Sequence, residues 1–218
     1  MSNPIRLAGV IRESIVDGPG IRFVVFVQGC PHHCEGCHNP ESHDFSGGYD
    51  CDPEKILAEI KKNPLLDGVT FSGGEPLCQA AALLPLAKEI KKLGLNLFIY
   101  TGSIFEDLLK EQNPDIMALL QQGDFLVDGP FVLAQRDLTL LFRGSQNQRI
   151  LDLPSLFCRE KRFWRPSGNK RLCGTKATSM FCLLLHARKF CFFSEDKNCG
   201  KRRHLWQESV FSICNPHL

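Results

Sequence analysis

Three cysteines in one short segment are the residues best suited to chemistry in this sequence. The segment QGCPHHCEGCHNPE, residues 28–41, places Cys30, Cys34 and Cys37 in the spacing C-x3-C-x2-C. Thiolates so close together can form a disulfide, act as a redox dithiol, bind a structural zinc ion or hold an iron–sulfur cluster.

The spacing favours a cluster among these four. A structural zinc ion takes four ligands, usually as two pairs separated by a longer stretch of chain. A thioredoxin-type dithiol needs only Cys34 and Cys37 and leaves Cys30 unexplained. Three thiolates on a compact loop suit a [4Fe–4S] cluster in which one iron keeps an open position for a substrate or cofactor. Zinc, with a nearby histidine as fourth ligand, stays open as the alternative, and the protein would then be a zinc-stabilised interaction protein.

The composition favours metal or redox chemistry over disulfides. The chain has 218 residues, of which 11 are cysteines, and its apolar fraction of 43% is ample for a sizeable core. The first residues lack the basic start and apolar run of a signal peptide, and no run approaches the roughly 18 apolar residues of a membrane helix. We therefore expect a cytoplasmic protein without a membrane partner, in which thiols stay reduced.

Strand and helix signals alternate along the first two thirds of the chain. Apolar, β-branched runs predict strands at 21–28, 68–74, 95–102 and 124–130, with helical segments between them. This alternation predicts an α/β fold with a mainly parallel sheet. The cysteine loop and the segments SGGEP, YTGS and VDGP each follow one of these strands. Because chemistry gathers at the carboxyl ends of parallel strands, we expect the four segments to form one site.

Two of these segments together resemble the signature of the radical S-adenosylmethionine (SAM) superfamily. The signature consists of the three spaced cysteines and, after the next strand, Gly73-Gly74-Glu75-Pro76. The resemblance implies that SAM chelates the open iron through its amino and carboxylate groups. Glycines without Cβ atoms let a ligand ammonium group approach backbone carbonyl oxygens, and Glu75 could accept a hydrogen bond from that group. In isolation, SGGEP predicts only a turn between a strand and a helix.

Longer segments resemble the glycyl-radical activases within that superfamily. They are VDGPGIRFVVFVQGC before the cysteine loop, YTGSIFEDL at 100–108 and RGSQNQR at 143–149. The activases of anaerobic ribonucleotide reductase are the nearer group, because Gly36 stands where the activases of pyruvate formate-lyase commonly place an aromatic residue. Tyr100 and Ser103 depart from that group's usual aromatic pair. Activation of pyruvate formate-lyase or of another glycyl-radical enzyme is the alternative.

The resemblance implies a fold, a site and partners. The fold is a partial (βα)6-type barrel over residues 1–153, and Cys30, Cys34 and Cys37 bind the [4Fe–4S] cluster. The expected SAM contacts are Gly36, Cys37, His38, Gly73, Gly74 and Glu75. Flavodoxin or ferredoxin supplies an electron, and a 5′-deoxyadenosyl radical removes a hydrogen atom from a glycine of the reductase large subunit. No separate catalytic side chain is expected, and nucleic acid is not an expected partner.

Residues 154–218 have a different composition. Up to Leu151 there are 13 Lys and Arg against 19 Asp and Glu, and from Asp152 onward there are 13 against 5. This basic, cysteine-rich tail shows no sustained period. Three interpretations remain open: a second metal-binding module with six cysteines, a positively charged surface for the reductase or nucleic acid, or an altered reading frame at the end of the gene.

Overall fold

One seven-stranded sheet organises the part of the chain that the structure, a computed structural model, describes, namely residues 3–163. The strands are β1 Ile5–Ser14, β2 Arg22–Val27, β3 Tyr49–Cys51, β4 Gly68–Gly73, β5 Asn96–Tyr100, β6 Phe125–Asp128 and β7 Arg149–Asp152. The helices are α1 Pro53–Lys62, α2 Ala80–Lys92, α3 Phe105–Glu111, α4 Pro114–Leu120 and α5 Leu153–Phe163. The predictions made for residues 164–218 lie outside the described residues.

The sheet is parallel in its centre and antiparallel at both edges. The strand order is β3-β1-β2-β4-β5-β6-β7, and the pairs β2–β4, β4–β5 and β5–β6 are parallel. β1 pairs antiparallel with β2 and β3, and β7 pairs antiparallel with β6. The predicted α/β fold with a mainly parallel centre is confirmed. The antiparallel edge strands β1, β3 and β7 were not predicted.

Local sequence signals fix where the helices begin and end. The Asp52 carboxylate accepts a hydrogen bond from the backbone amide of Glu54 at 3.0 Å, which confirms the expected N-cap with Pro53 in the first turn. α2 ends just before Gly94, whose φ of +77° is the left-handed conformation that stops a helix. These signals set the lengths of the crossovers between parallel strands.

The hydrophobic core lies on one side of the sheet, beneath the helices. Phe23, Val25, Val69, Phe71 and Ile99 are at most 1% exposed and belong to one cluster with apolar residues of α1, α2 and α4. Burial on this scale holds the crossover helices on the sheet and so fixes the carboxyl ends of the strands relative to one another.

Arg22 is a fully buried cation at the amino ends of the parallel strands. Its guanidinium donates to Thr70 Oγ1, Val69 O and Asn96 Oδ1, each at 2.6 Å. Burial lowers its pKa to about 10. These bonds join β2, β4 and β5 at the edge opposite the cysteine loop. No local sequence pattern predicts them, because the partners lie far apart along the chain.

The last described helix begins at Leu153, where the resemblance ends. Leu153 is fully buried, and Leu156 and Phe157 pack against the core. The helix therefore carries the ordered structure past the predicted boundary, and the division into 1–153 and 154–218 stays a prediction. Within residues 3–163, none of the helices has the length and apolar character needed to span a membrane.

Candidate functional site

The segments after β2 and β4 meet at the carboxyl edge of the sheet. The backbone amide of Gly74 donates to Val27 O at 2.8 Å, and the amide of Glu75 donates to Gly29 O at 2.8 Å. The segment SGGEP therefore lies directly against the start of the cysteine loop, as the sequence predicted.

The cysteine loop is held at both of its ends. The amide of Cys30 donates to His43 O at 3.0 Å, and the amide of Cys37 donates to Cys34 O at 3.2 Å. Gln28, which is 4% exposed, donates from Nε2 to Glu41 O at 3.0 Å and to the carbonyl of residue 44 at 2.7 Å. The sequence did not single out Gln28, although it begins the loop.

The three thiols differ in burial and in their neighbours. Cys30 is 8% exposed, whereas Cys34 and Cys37 are half-buried. Burial raises the pKa of the Cys30 thiol, and hydrogen bonds from the backbone amides of residues 32 and 33 oppose that rise. The amide of Asn39 donates to Cys37 Sγ at 3.4 Å.

This donor set fits an iron–sulfur cluster. Cluster thiolates are typically stabilised by backbone N–H groups, and both Cys30 and Cys37 have such donors. Between residues 3 and 163, no three His, Cys, Asp or Glu side chains are grouped to hold one metal ion. A four-iron cluster instead takes each thiolate at a different iron.

Glu75 is a buried carboxylate with four protein donors. It is 2% exposed, and its Oε2 accepts from His32 Nε2 at 2.8 Å, Thr101 Oγ1 at 3.0 Å and Gly102 N at 2.9 Å, while Oε1 accepts from Leu77 N at 3.0 Å. The hydrogen bond to Glu75 raises the pKa of His32. The expected contact of Glu75 with the SAM ammonium group stays a prediction, and these four partners were not predicted from the sequence.

Gly73 and Gly74 lie where backbone approaches backbone. Gly73 has a φ of +95°, and a Cβ added to it would lie 2.6 Å from Val27 N. A Cβ on Gly74 would lie 2.3 Å from Gly29 O. Packing against β2 and the cysteine loop is therefore enough to require both glycines, and ligand approach to their carbonyl oxygens stays a prediction.

Gly36 and His38 face the segment that follows β6. Gly36 has a φ of +71°, and a Cβ on it would lie 2.9 Å from Leu133 Cδ1. The His38 ring lies 5.3 Å from the Phe131 ring, measured between centroids. Phe131 and Leu133 therefore contact the part of the cysteine loop that carries three expected SAM contacts. Sequence reasoning did not identify either Phe131 or Leu133.

The segment RGSQNQR shapes the same loop after β6. Arg143 Nη1 donates to Gln148 O at 2.6 Å, and Gln148 Oε1 accepts from Gly144 N at 2.9 Å and from Ser145 N at 3.2 Å. The segment thus forms a compact turn, in which the side chains of Arg143 and Gln148 have a structural role.

Arg149 and Asp128 form an ion pair between β7 and β6. Arg149 Nε donates to Asp128 Oδ1 at 3.0 Å, and its Nη atoms contact both Asp128 and Glu106. Asp128 is 1% exposed and also accepts from Phe105 N at 2.9 Å, at the start of α3. The hydrogen bonds from Arg149 lower the pKa of Glu106 to about 2.

Comparison with known proteins defines the class. The sequence profile described as "4Fe-4S single cluster domain" matches residues 16–151, which include the cysteine loop and the four parallel strands. The protein is an iron–sulfur enzyme of the radical SAM class, with a [4Fe–4S] cluster and SAM as cofactors. This finding decides between cluster and zinc in favour of the cluster.

Curated relatives define the family more narrowly. The anaerobic ribonucleoside-triphosphate reductase-activating protein of Haemophilus influenzae is 35% identical over 144 residues, which are 62% of this chain and 90% of that protein. The protein of the same name from Vibrio cholerae is 37% identical with the same coverage. The chain belongs to this family of glycyl-radical activases.

Two further similar proteins match a smaller part of this chain. The pyruvate formate-lyase-activating enzyme of Clostridium pasteurianum is 39% identical over 114 residues, which are 48% of each protein. The crystal structure of QueE from Escherichia coli aligns with 47% of this chain and 53% of that chain at 22% identity and a TM-score of 0.36, a likeness too weak to define the fold.

Proposed function

We propose that this protein introduces a glycyl radical into the large subunit of an anaerobic ribonucleoside-triphosphate reductase. The observation that carries this proposal is the identity of 35% to an activating protein of that reductase over 90% of its length. When bound, the cluster and SAM supply a 5′-deoxyadenosyl radical that removes a hydrogen atom from the target glycine.

The residues at the carboxyl edge of the sheet would hold these cofactors. Cys30, Cys34 and Cys37 would each bind one iron, and the N–H donors at Cys30 and Cys37 support that assignment. The expected SAM contacts Gly36, Cys37, His38, Gly73, Gly74 and Glu75 lie in or beside the same loop.

The rest of the chain would orient the reactants, and a separate donor protein would supply the electron. Hydrogen-atom transfer moves a proton and an electron together, so no side chain is assigned as an acid or a base. We assign the electron to flavodoxin or ferredoxin, proteins that carry single electrons at low potential. Phe131 and Leu133 would cover one side of the loop and limit access of solvent.

Replacing single cysteines tests the proposed ligands. Cys34→Ala is expected to lose about four irons per chain after anaerobic reconstitution, because a cubane held by two thiolates is unstable. Cys78→Ala is the matched control, since Cys78 is a free cysteine outside the loop. Equal iron content in both variants would exclude Cys34 as a ligand.

Two purified partners test the proposed target. We expect the anaerobic reductase to gain nucleotide-reducing activity after incubation with the reconstituted protein, SAM and a reductant, and pyruvate formate-lyase to gain none. The relative from Clostridium pasteurianum makes formate-lyase the second candidate. Activation of formate-lyase alone would establish that alternative.

A further inference from the structure

One carboxylate connects the cysteine loop to two strand ends. Glu75 follows β4, and Thr101 and Gly102 follow β5, while His32 lies between the first two cysteines. Glu75 Oε2 accepts from all three of these residues at 2.8–3.0 Å. Three segments from three parallel strands therefore meet at one oxygen atom.

The contact between His32 and Glu75 is well placed to fix the loop. The loop contains little regular structure, with one 3-10 turn at Pro40–Ser42. Among the described residues, no other side chain from Cys30 to Cys37 hydrogen-bonds to a residue outside the loop. The side chains of His32 and Glu75 are 24% and 3% exposed, so water competes little for this bond.

The packing around His32 is specific. A Cβ on Gly102 would lie 2.5 Å from His32 Cδ2 and 2.8 Å from Cγ. The absent side chain at Gly102 therefore gives the imidazole the room that it needs to reach Glu75.

Four donors hydrogen-bond to the buried Glu75 carboxylate. Oε2 has three donors and Oε1 has the amide of Leu77, and the residue is 2% exposed. These bonds hold the buried carboxylate in place beside the cysteine loop.

We propose that Glu75 and His32 are positioning residues whose hydrogen bond fixes the cysteine loop, and with it the three thiolates, over the carboxyl ends of β4 and β5. This inference rests on the proposed function, because it concerns the geometry of the proposed cluster ligands. Glu75 thus acts on the cofactors through the loop.

Amide hydrogen exchange of the full-length, metal-free, reduced protein tests the contact without any cluster. His32→Ala removes the donor, and Gly102→Ala displaces the imidazole while leaving both partners chemically intact. We expect the amides of Cys30 and Cys37 to exchange about 5- to 10-fold faster in both variants, as loss of one such bond implies.

Two variants serve as matched controls. Thr101→Val removes a donor from the same Glu75 oxygen without touching the loop, and His32→Gln restores an N–H at a similar reach. In both variants the amides of Cys30 and Cys37 are expected to exchange within about twofold of the wild-type rate, because the hydrogen bond between the cysteine loop and Glu75 is kept. Amides of the β4–β5 ladder report global unfolding and are expected to be unchanged in all four variants.

Iron release adds a second readout. After reconstitution, His32→Ala and Gly102→Ala are expected to lose iron to a chelator about 5- to 10-fold faster than the wild type and Thr101→Val. Unchanged loop exchange in His32→Ala and Gly102→Ala would overturn the proposal, and so would equal acceleration in Thr101→Val. A wild-type protein that binds no cluster would instead overturn the proposed function and leave the exchange result valid.

Discussion

At the scale of single residues, the site depends on backbone segments that touch without side chains between them. Gly74→Ala would place a Cβ 2.3 Å from Gly29 O, a backbone atom that cannot rotate away. We expect a loss of about 1–3 kcal/mol in the free energy of unfolding, measured by urea titration, together with a displaced cysteine loop.

Gly94→Ala is the control for this substitution. Gly94 has a φ of +77° but no atom within 4 Å of an added Cβ, so its replacement costs only the backbone strain of about 1 kcal/mol. Equal losses in the two variants, with the cysteine loop unchanged in Gly74→Ala, would contradict the role given to close packing at Gly74.

Residue types and spacing predicted the contents of the site but not its contacts. The cysteine spacing and SGGEP identified segments that the structure brings together. The partners of Glu75 were not predictable, because His32 and Thr101 lie 43 and 26 positions away along the chain and meet it only through the fold. The same holds for Leu133, which packs on Gly36.

At the scale of elements, the pair between Arg149 and Asp128 connects β7, β6 and the start of α3. Arg149→Ala would leave the buried Asp128 carboxylate with the amide of Phe105 as its remaining donor among residues 3–163. We expect a loss of about 2 kcal/mol in the free energy of unfolding, measured by chemical denaturation.

Lys110→Ala, which breaks an exposed pair with Asp107, is the control and is expected to show no measurable change. Equal stability of Arg149→Ala and the wild type would contradict this assignment.

The stabilisation contributed by the exposed ion pair between Arg149 and Glu106 is expected to depend on pH. Hydrogen bonds with Arg149 lower the pKa of Glu106 from 4.5 in the unfolded chain to about 2 in the folded protein. The contact therefore stabilises the fold fully when the pH is above the pKa of the unfolded chain. This stabilisation is lost as the pH falls towards the pKa of the folded protein. The stability difference between the wild type and Glu106→Gln should thus be constant from about pH 7 to pH 5 and shrink below about pH 4.5. Because Glu106 is 56% exposed, the difference is expected to stay below about 0.5 kcal/mol. A difference that grows as the pH falls would contradict the sign.

The central strands were predictable and the edge strands were not. β2, β4, β5 and β6 are buried on both faces and so form the continuous apolar runs that the sequence shows. β7 is largely exposed, and β3 spans only Tyr49–Cys51. Their place in the sheet is set by pairing with β6 and β1, which is information that no local pattern contains.

At the scale of the whole molecule, α5 determines where the chain can be shortened. Leu156 and Phe157 pack against the core, and the Phe157 ring lies 6.1 Å from the Phe105 ring. A chain ending at Leu153 is expected to be about 2 kcal/mol less stable to urea than one ending at Phe163.

The chain ending at Phe163 is expected to keep its cluster, because the family match ends at residue 151. Loss of cluster iron from the form ending at Phe163 would show that residues 164–218 are needed.

Electron paramagnetic resonance of the reductase large subunit, after anaerobic incubation with the reconstituted protein, SAM and a reductant, detects the proposed product itself. We expect a glycyl-radical doublet that collapses to a singlet when the reductase carries α-deuterated glycine, and that is absent with Cys34→Ala. A reductase without a radical signal, incubated with a wild-type protein that holds its full cluster, would contradict the proposed function.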